Sequence, residues 1–213
     1  METWAIVVAA GSGARFGGAK QFATVGSERV VDRAVQTAAR CCDGVIVVLP
    51  QGAVWDGPPV AAAVAGGATR AASVRAGLLA VPDSAGIVVV HDAARPLAGD
   101  SLFAAVIAAV ENGADGAVPG LAVSDTVKRV EGTRVVATVP RDGLVTVQTP
   151  QAFRAAALRA AHTGEADGTD DAALVEAAGG SVVVVPGEGT NLKVTGPEDL
   201  MLVTVLLDLG SRS

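Results

Sequence analysis

Two cations lie on one short glycine-rich loop near the start of the chain. The loop runs from Ala9 to Gln21, follows the apolar segment Trp4 to Val8, and carries Arg15 and Lys20. Its small residues leave room for backbone N–H groups to approach a phosphate, whose negative charge the two cations would stabilise. A tight turn between a strand and a helix would require the small residues but not the cations. The loop therefore predicts a nucleotide site.

The spacing within this loop excludes two familiar nucleotide motifs. The dinucleotide-binding fingerprint requires a third glycine at the position of Phe16. The P-loop requires Gly-Lys-Ser/Thr, whereas here Ala19 precedes Lys20 and Gln21 follows it. A different arrangement must therefore hold the nucleotide.

A second polar block, His-Asp-Ala-Ala-Arg-Pro at residues 91–96, directly follows the apolar run Ile87 to Val90. Ligands bind at the carboxyl ends of strands in open α/β sheets, so we predict that Asp92 belongs to a substrate site. The alternative is a structural strand end in which Asp92 pairs with Arg95. We interpret His91 as a buried core histidine rather than as a catalytic one.

A third block combines the glycine pair Gly66-Gly67 with Arg70 and Ser73 at the start of a predicted helix. The backbone of a Gly-Gly turn could recognise the edge of a base. Ser73 could make a further base contact or could cap nearby N–H groups of the helix.

Apolar runs that alternate with helical patterns predict an α/β fold with a doubly wound, mostly parallel sheet that is covered on both faces. The predicted strands are 4–9, 44–49, 87–90 and 182–185, and the predicted helices are 29–41, 73–79, 101–112, 150–162, 169–178 and 197–209. The segment 121–149 breaks this pattern. Residues 124–130 and 133–139 alternate between polar and apolar types around Glu131-Gly132, which predicts a β-hairpin arm that packs on something else, such as a second subunit.

Composition limits the classes of function. The 213 residues fit a single domain over 1–213 from which the arm at 121–149 protrudes, and the formal net charge of −6 argues against a broad nucleic-acid surface. We identify no apolar run long enough to span a bilayer and no targeting segment, so we predict a cytoplasmic protein with no membrane partner. The adjacent Cys41 and Cys42 suit neither a disulfide nor a metal site.

Taken together, eight blocks in this order resemble the 2-C-methyl-D-erythritol 4-phosphate cytidylyltransferase family over about residues 5–207. The blocks lie at residues 9–21, 66–74, 91–96, 125–128, 141–144, 148–153, 169–172 and 191–200. The resemblance implies a Rossmann-like nucleotidyltransferase fold and a homodimer that forms through the β-arm. It also implies cytidylyl transfer from CTP to 2-C-methyl-D-erythritol 4-phosphate with release of pyrophosphate, a step of non-mevalonate isoprenoid biosynthesis. Mg²⁺ would be held mainly by the CTP phosphates, with no ligand from the protein.

The resemblance also assigns roles to individual residues. Arg15 and Lys20 match catalytic positions that stabilise the negative charge on the phosphates. The positions that match CTP-binding residues are Ala9, Ala10, Gly11, Gly13, Gly67 and Ser73. The positions that match acceptor-binding residues are Asp92, Thr126, Arg141, Thr149, Thr169 and Lys193, with Thr126 and Arg141 reaching a neighbouring subunit.

The chain departs from the family pattern in its first loop. Ala19 replaces a proline that usually precedes the lysine, and the loop between Arg15 and Lys20 is about two residues shorter, which affects the reach of Lys20. Two alternatives remain at this point. One is a ribitol-5-phosphate cytidylyltransferase, which shares the fold and first loop, and the other is a nucleotide-binding relative that does not catalyse transfer.

Overall fold

A computed structural model gives the fold of the chain and describes residues 1–11, 16, 18, 20–164, 168 and 170–210. The strands are β1 (Thr3–Val8), β2 (Thr24–Val25), β3 (Glu28–Arg29), β4 (Gly44–Leu49), β5 (Ala62–Ala65), β6 (Ile87–Asp92), β7 (Gly116–Ala122), β8 (Val127–Glu131), β9 (Arg134–Val139), β10 (Val145–Val147), β11 (Gln151–Arg154) and β12 (Val182–Pro186). The helices are α1 (Val30–Cys41), α2 (Arg70–Leu78), α3 (Asp100–Glu111), α4 (Ala155–Ala161), α5 (Asp171–Ala177) and α6 (Pro197–Gly210), with a 3₁₀ turn at Lys20–Phe22. No helix in these ranges is both long and apolar enough to cross a membrane.

The main sheet has the strand order β10-β7-β11-β6-β1-β4-β5, and β12 pairs with β7 at the side of this path. Its centre is parallel, since β1 pairs in parallel with both β4 and β6, and β4 pairs in parallel with β5. Strands buried on both faces need apolar side chains on both, which is why β1, β4 and β6 read as continuous Val and Ile runs. The predicted α/β fold with a mostly parallel sheet is confirmed.

Helices cover the two faces of this sheet. The side chains of α1 and α3 pack with Ala5, Val7 and Val89 on one face. The side chains of α2, α4 and α5 pack with Ile6 and Val88 on the other. Alternate residues of β1 thus supply the two separate apolar layers, and the carboxyl ends of β1 and β6 emerge between them.

The segment that follows Pro150 differs from the prediction. A helix was expected over 150–162, but Gln151–Arg154 forms β11, and α4 begins only at Ala155. Strand β11 pairs antiparallel with β6 on one side and with β7 on the other, and Phe153 is completely buried. Pairing with strands on both sides therefore overrides the helical pattern predicted for these four residues. The alanines after residue 154 continue that pattern and do form a helix, α4.

The predicted hairpin is confirmed as β8 and β9, joined by a turn with Gly132 at φ +58°. Within the described residues these two strands pair with each other and with no other strand. Val130 and Val135 are 54% and 56% exposed. A two-stranded ribbon with exposed valines has little apolar burial of its own.

Helix α2 approaches the sheet closely at Gly77. A Cβ atom added to Gly77 would lie 2.6 Å from Cγ2 of Ile6 and 3.1 Å from Cγ2 of Val48. We expect Gly77→Ala to lower the free energy of unfolding by roughly 1–2 kcal/mol, because overpacking outweighs the better helix propensity of alanine. Urea unfolding measures the change.

The matched control for this substitution is Gly189→Ala, since a Cβ atom there would have nothing within 4 Å. The control should change the free energy of unfolding by less than about 0.5 kcal/mol. Equal stability of Gly77→Ala and the natural chain would contradict the close packing of α2 on the sheet.

Candidate functional site

A cleft of about 390 Å³ opens where β1 and β6 end. It lies between the segment after β1, the turn before α2, and the residues that follow β6, as expected for the carboxyl edge of a parallel sheet. Predicted site residues that line it are Ala9, Ala10, Gly11, Lys20, Gly67, Ser73, Asp92 and Lys193. Gly13, Arg15 and Thr169 were also predicted for the site, and they lie outside the described residues.

A second cavity of about 320 Å³ adjoins the first, since Arg70, Asp92 and Lys193 line both. Its own lining includes Thr149 and Arg95. Two adjoining cavities with a shared wall suit two ligands that must meet. Asp92 and Lys193 lie in the shared wall, where two such ligands would be in contact.

Asp92 is the charged centre of this shared wall. Its side chain is 11% exposed, Oδ2 lies 2.6 Å from Nζ of Lys193, and Oδ1 lies 3.3 Å from Nε of Arg70. Burial alone would raise the pKa of Asp92, but the positive charges of Arg70 and Lys193 outweigh it and hold that pKa well below its usual range. The carboxylate is therefore ionised. The pairing of Asp92 with Arg95 considered from the sequence is wrong.

Arg70 links Asp92 to a second buried carboxylate. Its Nη1 lies 2.7 Å from Oδ2 of Asp171, whose side chain is 1% exposed, and Oδ1 of Asp171 lies 3.0 Å from Nε2 of His162. Burial opposes the charge on Arg70, yet Asp92 and Asp171 together raise its pKa above its ordinary value. The sequence blocks contain Arg70 and Asp171, but their spacing gives no sign that the two meet.

The segment that carries Lys193 is attached to the end of β6. The Val194 N–H donates to the Ala94 carbonyl at 2.8 Å, and Nη1 of Arg95 donates to the Asn191 carbonyl at 2.8 Å. The fully buried Asn191 in turn donates through Nδ2 to the Thr149 carbonyl at 2.9 Å. These bonds fix the position from which Lys193 reaches Asp92.

Arg95 also has a side-chain N–H group without a partner in the described part of the chain, which the sequence does not reveal. Its Nε atom is buried and has no hydrogen-bond partner within the described residues, and burial lowers the pKa of the guanidinium. Because Arg95 lines the second cavity with a positively charged side chain, it favours an anionic ligand there. The motif at 91–96 contained Arg95, but the sequence could not show which way its side chain turns.

The glycine turn before α2 is braced from within. The Gly67 N–H donates to Oγ of Ser73 at 3.2 Å, and that hydroxyl donates to the Thr69 carbonyl at 2.9 Å. Thr69, not Ser73, caps α2, because it accepts from the Ala72 N–H at 3.1 Å. The N–H of Gly67 is therefore already used inside the turn.

Lys20 reaches the cleft although its loop is short. Its Nζ donates to the Val194 carbonyl at 2.5 Å, and the neighbouring buried Gln21 donates through Nε2 to the Gly11 carbonyl at 3.1 Å. These bonds tie the end of the first loop to its beginning and to the segment that carries Lys193. The shorter loop therefore does not keep Lys20 away from the site.

Thr126 and Arg141 line neither cavity. Thr126 directly precedes β8, Arg141 follows β9, and Nη1 of Arg141 donates to the Ser124 carbonyl. Within their own chain, both residues therefore lie at the base of the β8–β9 arm and outside the two cavities.

The described residues contain no group of three or more His, Cys, Asp or Glu side chains that could hold a metal ion. Asp92 is the carboxylate that lines the first cleft, and both of its oxygens already contact cations. In this arrangement the carboxylate of Asp92 is therefore taken up by ion pairs within the chain.

Comparison with known proteins identifies relatives of the chain. A family profile described as 2-C-methyl-D-erythritol 4-phosphate cytidylyltransferase matches residues 3–208. A protein of that name from Nocardia farcinica is 45% identical over 215 residues, which cover 96% of this chain and 93% of the relative. The bifunctional enzyme IspD/IspF of Solidesulfovibrio magneticus is 43% identical, and the match covers 94% of this chain but 56% of the relative. The chain thus spans about half the length of such bifunctional relatives.

Solved structures give the same result. The crystal structure of 2-C-methyl-D-erythritol 4-phosphate cytidylyltransferase from Thermus thermophilus superposes with a TM-score of 0.81 at 38% identity, covering 95% of this chain and 98% of that one. The similarity therefore extends over nearly the whole length of both chains.

The ion pairs of Arg70 yield a testable prediction. We expect Arg70→Gln to lower the free energy of unfolding by about 3 kcal/mol, because it leaves the buried Asp171 without its guanidinium partner and Asp92 with Lys193 alone. In the background of Asp171→Asn, Arg70→Gln should lower the free energy of unfolding by at least about 1 kcal/mol less than it does in the natural chain. The reason is that residues in one network do not act additively. Urea unfolding of the four proteins gives the coupling.

Arg40→Gln is the matched control, since Arg40 and Asp100 form an ion pair with side chains 55% and 56% exposed. It should change the free energy of unfolding by less than about 1 kcal/mol. Additive effects of the Arg70 and Asp171 substitutions would show that the two side chains do not interact.

Proposed function

The chain belongs to the 2-C-methyl-D-erythritol 4-phosphate cytidylyltransferase family, and we propose that it transfers the cytidylyl group of CTP to 2-C-methyl-D-erythritol 4-phosphate. The products are pyrophosphate and 4-diphosphocytidyl-2-C-methyl-D-erythritol, an intermediate of non-mevalonate isoprenoid biosynthesis. The observation that carries this proposal is the position of Asp92 and Lys193 in the shared wall of two adjoining cavities.

The reaction requires little covalent help from the protein. An oxygen of the acceptor's phosphate monoester attacks the α-phosphorus of CTP in line, and the bond from that phosphorus to the bridging oxygen of the β-phosphate breaks. Pyrophosphate leaves with the electron pair of that bond. The site must therefore hold two highly charged molecules in contact and neutralise their phosphates.

In this proposal CTP occupies the first cleft, and the small residues of the first loop and the glycine turn let it approach the backbone. The residues proposed to hold it are Ala9, Ala10, Gly11, Gly13, Gly67 and Ser73. Lys20 and Arg15 stabilise the charge on the α-phosphate and on the departing pyrophosphate. Lys20 exchanges its bond to the Val194 carbonyl for a phosphate oxygen, because a charged acceptor makes the stronger hydrogen bond.

The acceptor occupies the second cavity, between Asp92, Thr149 and Lys193. Ionised Asp92 accepts hydrogen bonds from hydroxyl groups, whereas Lys193 and Arg95 donate to the phosphate. We propose further acceptor contacts for Thr169 of the same chain, and for Thr126 and Arg141 of a second copy.

Mg²⁺ is proposed as the cofactor and would be held mainly by the triphosphate. Bound there, it withdraws charge from the phosphate oxygens. The assignment fits this site because the carboxylate of Asp92 is engaged by two cations.

A homodimer formed through the β8–β9 arm is proposed from two observations. The arm exposes Val130 and Val135, and its own chain leaves Thr126 and Arg141 outside both cavities. A second copy that packs on the arm would bury the valines and could bring Arg141 to the acceptor site. A cytoplasmic location and the lack of nucleic-acid and membrane partners stay predictions from composition.

A pyrophosphate-release assay with CTP, Mg²⁺ and methylerythritol 4-phosphate tests the activity. We expect release that requires both substrates, and we expect slower turnover with ribitol 5-phosphate. Lys20→Ala should lower kcat about 10²–10³-fold, because a positioned charge at the transition state is lost. Arg40→Ala, on the exposed surface of α1, should leave kcat unchanged.

Two results would contradict the proposal. Faster turnover of ribitol 5-phosphate would reassign the acceptor. Binding of CTP in isothermal titration without any release of pyrophosphate would instead identify a nucleotide-binding relative that does not catalyse transfer.

Mixed dimers test whether Arg141 acts in the neighbouring site. Chains with Arg141→Ala and chains with Lys20→Ala should each be nearly inactive, but a mixed dimer contains one site with both residues. Random exchange of equal amounts should restore about a quarter of the natural activity, since half of the dimers are mixed. Pyrophosphate release after mixing measures this recovery, and its complete absence would place Arg141 in its own chain's site or outside the site.

A further inference from the structure

His91 is a completely buried polar side chain that the proposed mechanism does not use. It precedes Asp92 in β6, and its ring packs on Phe103 with centroids 5.2 Å apart and an interplanar angle of 60°. Both ring nitrogens nevertheless have partners. Nε2 lies 3.3 Å from the Arg95 carbonyl, and Nδ1 lies 3.2 Å from Oγ1 of Thr149.

These partners determine where the protons lie. A carbonyl oxygen can only accept, so Nε2 of His91 carries a proton and donates to Arg95. In a neutral imidazole Nδ1 is then the acceptor. Burial lowers the pKa of His91 to about 4, which keeps the ring neutral near pH 7.

The Thr149 hydroxyl therefore donates its proton to His91 and accepts its other hydrogen bonds. It accepts from the Asp92 N–H at 3.0 Å and so has its proton free for the unprotonated Nδ1 of His91. A threonine hydroxyl has one proton and two lone pairs. One lone pair remains, and Thr149 lines the second cavity.

We propose that Thr149 accepts a hydrogen bond from a hydroxyl group of the polyol acceptor, and that His91 is the positioning residue that fixes this polarity. With its proton directed at His91, Thr149 has none to donate to a phosphate oxygen. The inference rests on the proposed function, because it concerns the acceptor in the second cavity.

The charged side chains around this cavity include both acceptors and donors of hydrogen bonds. Ionised Asp92 offers acceptors alone and lies beside Thr149 at the end of β6, and Asp170 adds a second carboxyl group, whereas Lys193, Arg70 and Arg95 offer donors alone. The cavity therefore presents acceptors for hydroxyl groups as well as donors for a phosphate.

Equilibrium binding tests the proposal without requiring turnover. Isothermal titration would compare methylerythritol 4-phosphate with analogues in which each free hydroxyl in turn is replaced by hydrogen. We expect one analogue to bind about tenfold more weakly to the natural chain, as for the loss of one hydrogen bond. Thr149→Val should remove most of this difference, Thr149→Ser should retain it, and His91→Phe should reduce it because the hydroxyl is then free to rotate.

Thr204→Val is the matched control, since its hydroxyl donates to the Leu200 carbonyl within α6, outside both cavities. It should leave the ratio of dissociation constants unchanged. If Thr149→Val keeps the full difference for every analogue, Thr149 does not recognise a hydroxyl, and the proposal fails. If pyrophosphate is released but no analogue shows this difference in binding, the present proposal fails and the proposed activity stands. If the difference in binding is found but no pyrophosphate is released, the proposed activity fails and the present proposal stands.

Nuclear magnetic resonance of protein labelled with ¹⁵N-histidine tests the role of His91 directly. The chain has two histidines, so the spectrum of His162→Gln assigns the ring signals. At pH 7 we expect His91 to carry its proton on Nε2, and we expect the Nδ1 signal to shift in Thr149→Val but not in Thr204→Val. A proton on Nδ1 would overturn the proposal.

Discussion

A buried carboxylate at the end of a strand stays ionised only if cations compensate the hydration it has lost, and this constraint applies to Asp92. An unpaired charge at such a position costs several kcal/mol. Arg70 comes from the first turn of α2 and Lys193 from the segment before α6, so two distant parts of the chain must meet at the end of β6. The packing of these parts on the sheet and the charge of the site therefore depend on each other.

Neutral side-chain amides supply part of the support around this ion cluster, beside the bonds from Arg95 and Lys20. Gln148 donates through Nε2 to the Glu188 carbonyl at 2.9 Å, and Asn191 binds the Thr149 carbonyl, so the segment 188–194 is held by side-chain amides. Amides hold a loop without adding charge to a site that already contains several ions. The amides thus help to position Lys193 for its pair with Asp92 without adding further charge.

The sequence predicted the sheet well where burial on both faces leaves a clear pattern, as in β1, β4 and β6. It failed at β11, because Gln151–Arg154 becomes a strand through pairing with β6 and β7, which no local pattern records. For the site, the sequence indicated Asp92 and Lys20 from their motifs. It could not show that Arg70 contacts Asp171, a residue 101 positions away, or that Asp92 pairs with Lys193 rather than with Arg95.

The contact between Lys20 and the Val194 carbonyl has a consequence for how the protein is made. It joins residues 174 positions apart, and it lies beside the pair formed by Lys193 and Asp92. During synthesis β1, β4 and β6 leave the ribosome long before residue 193 does, so the growing chain carries Asp92 without one of its two cations. The cleft at the ends of β1 and β6 is therefore among the last parts of the molecule to form, and a nascent chain that still lacks residue 193 has no complete site.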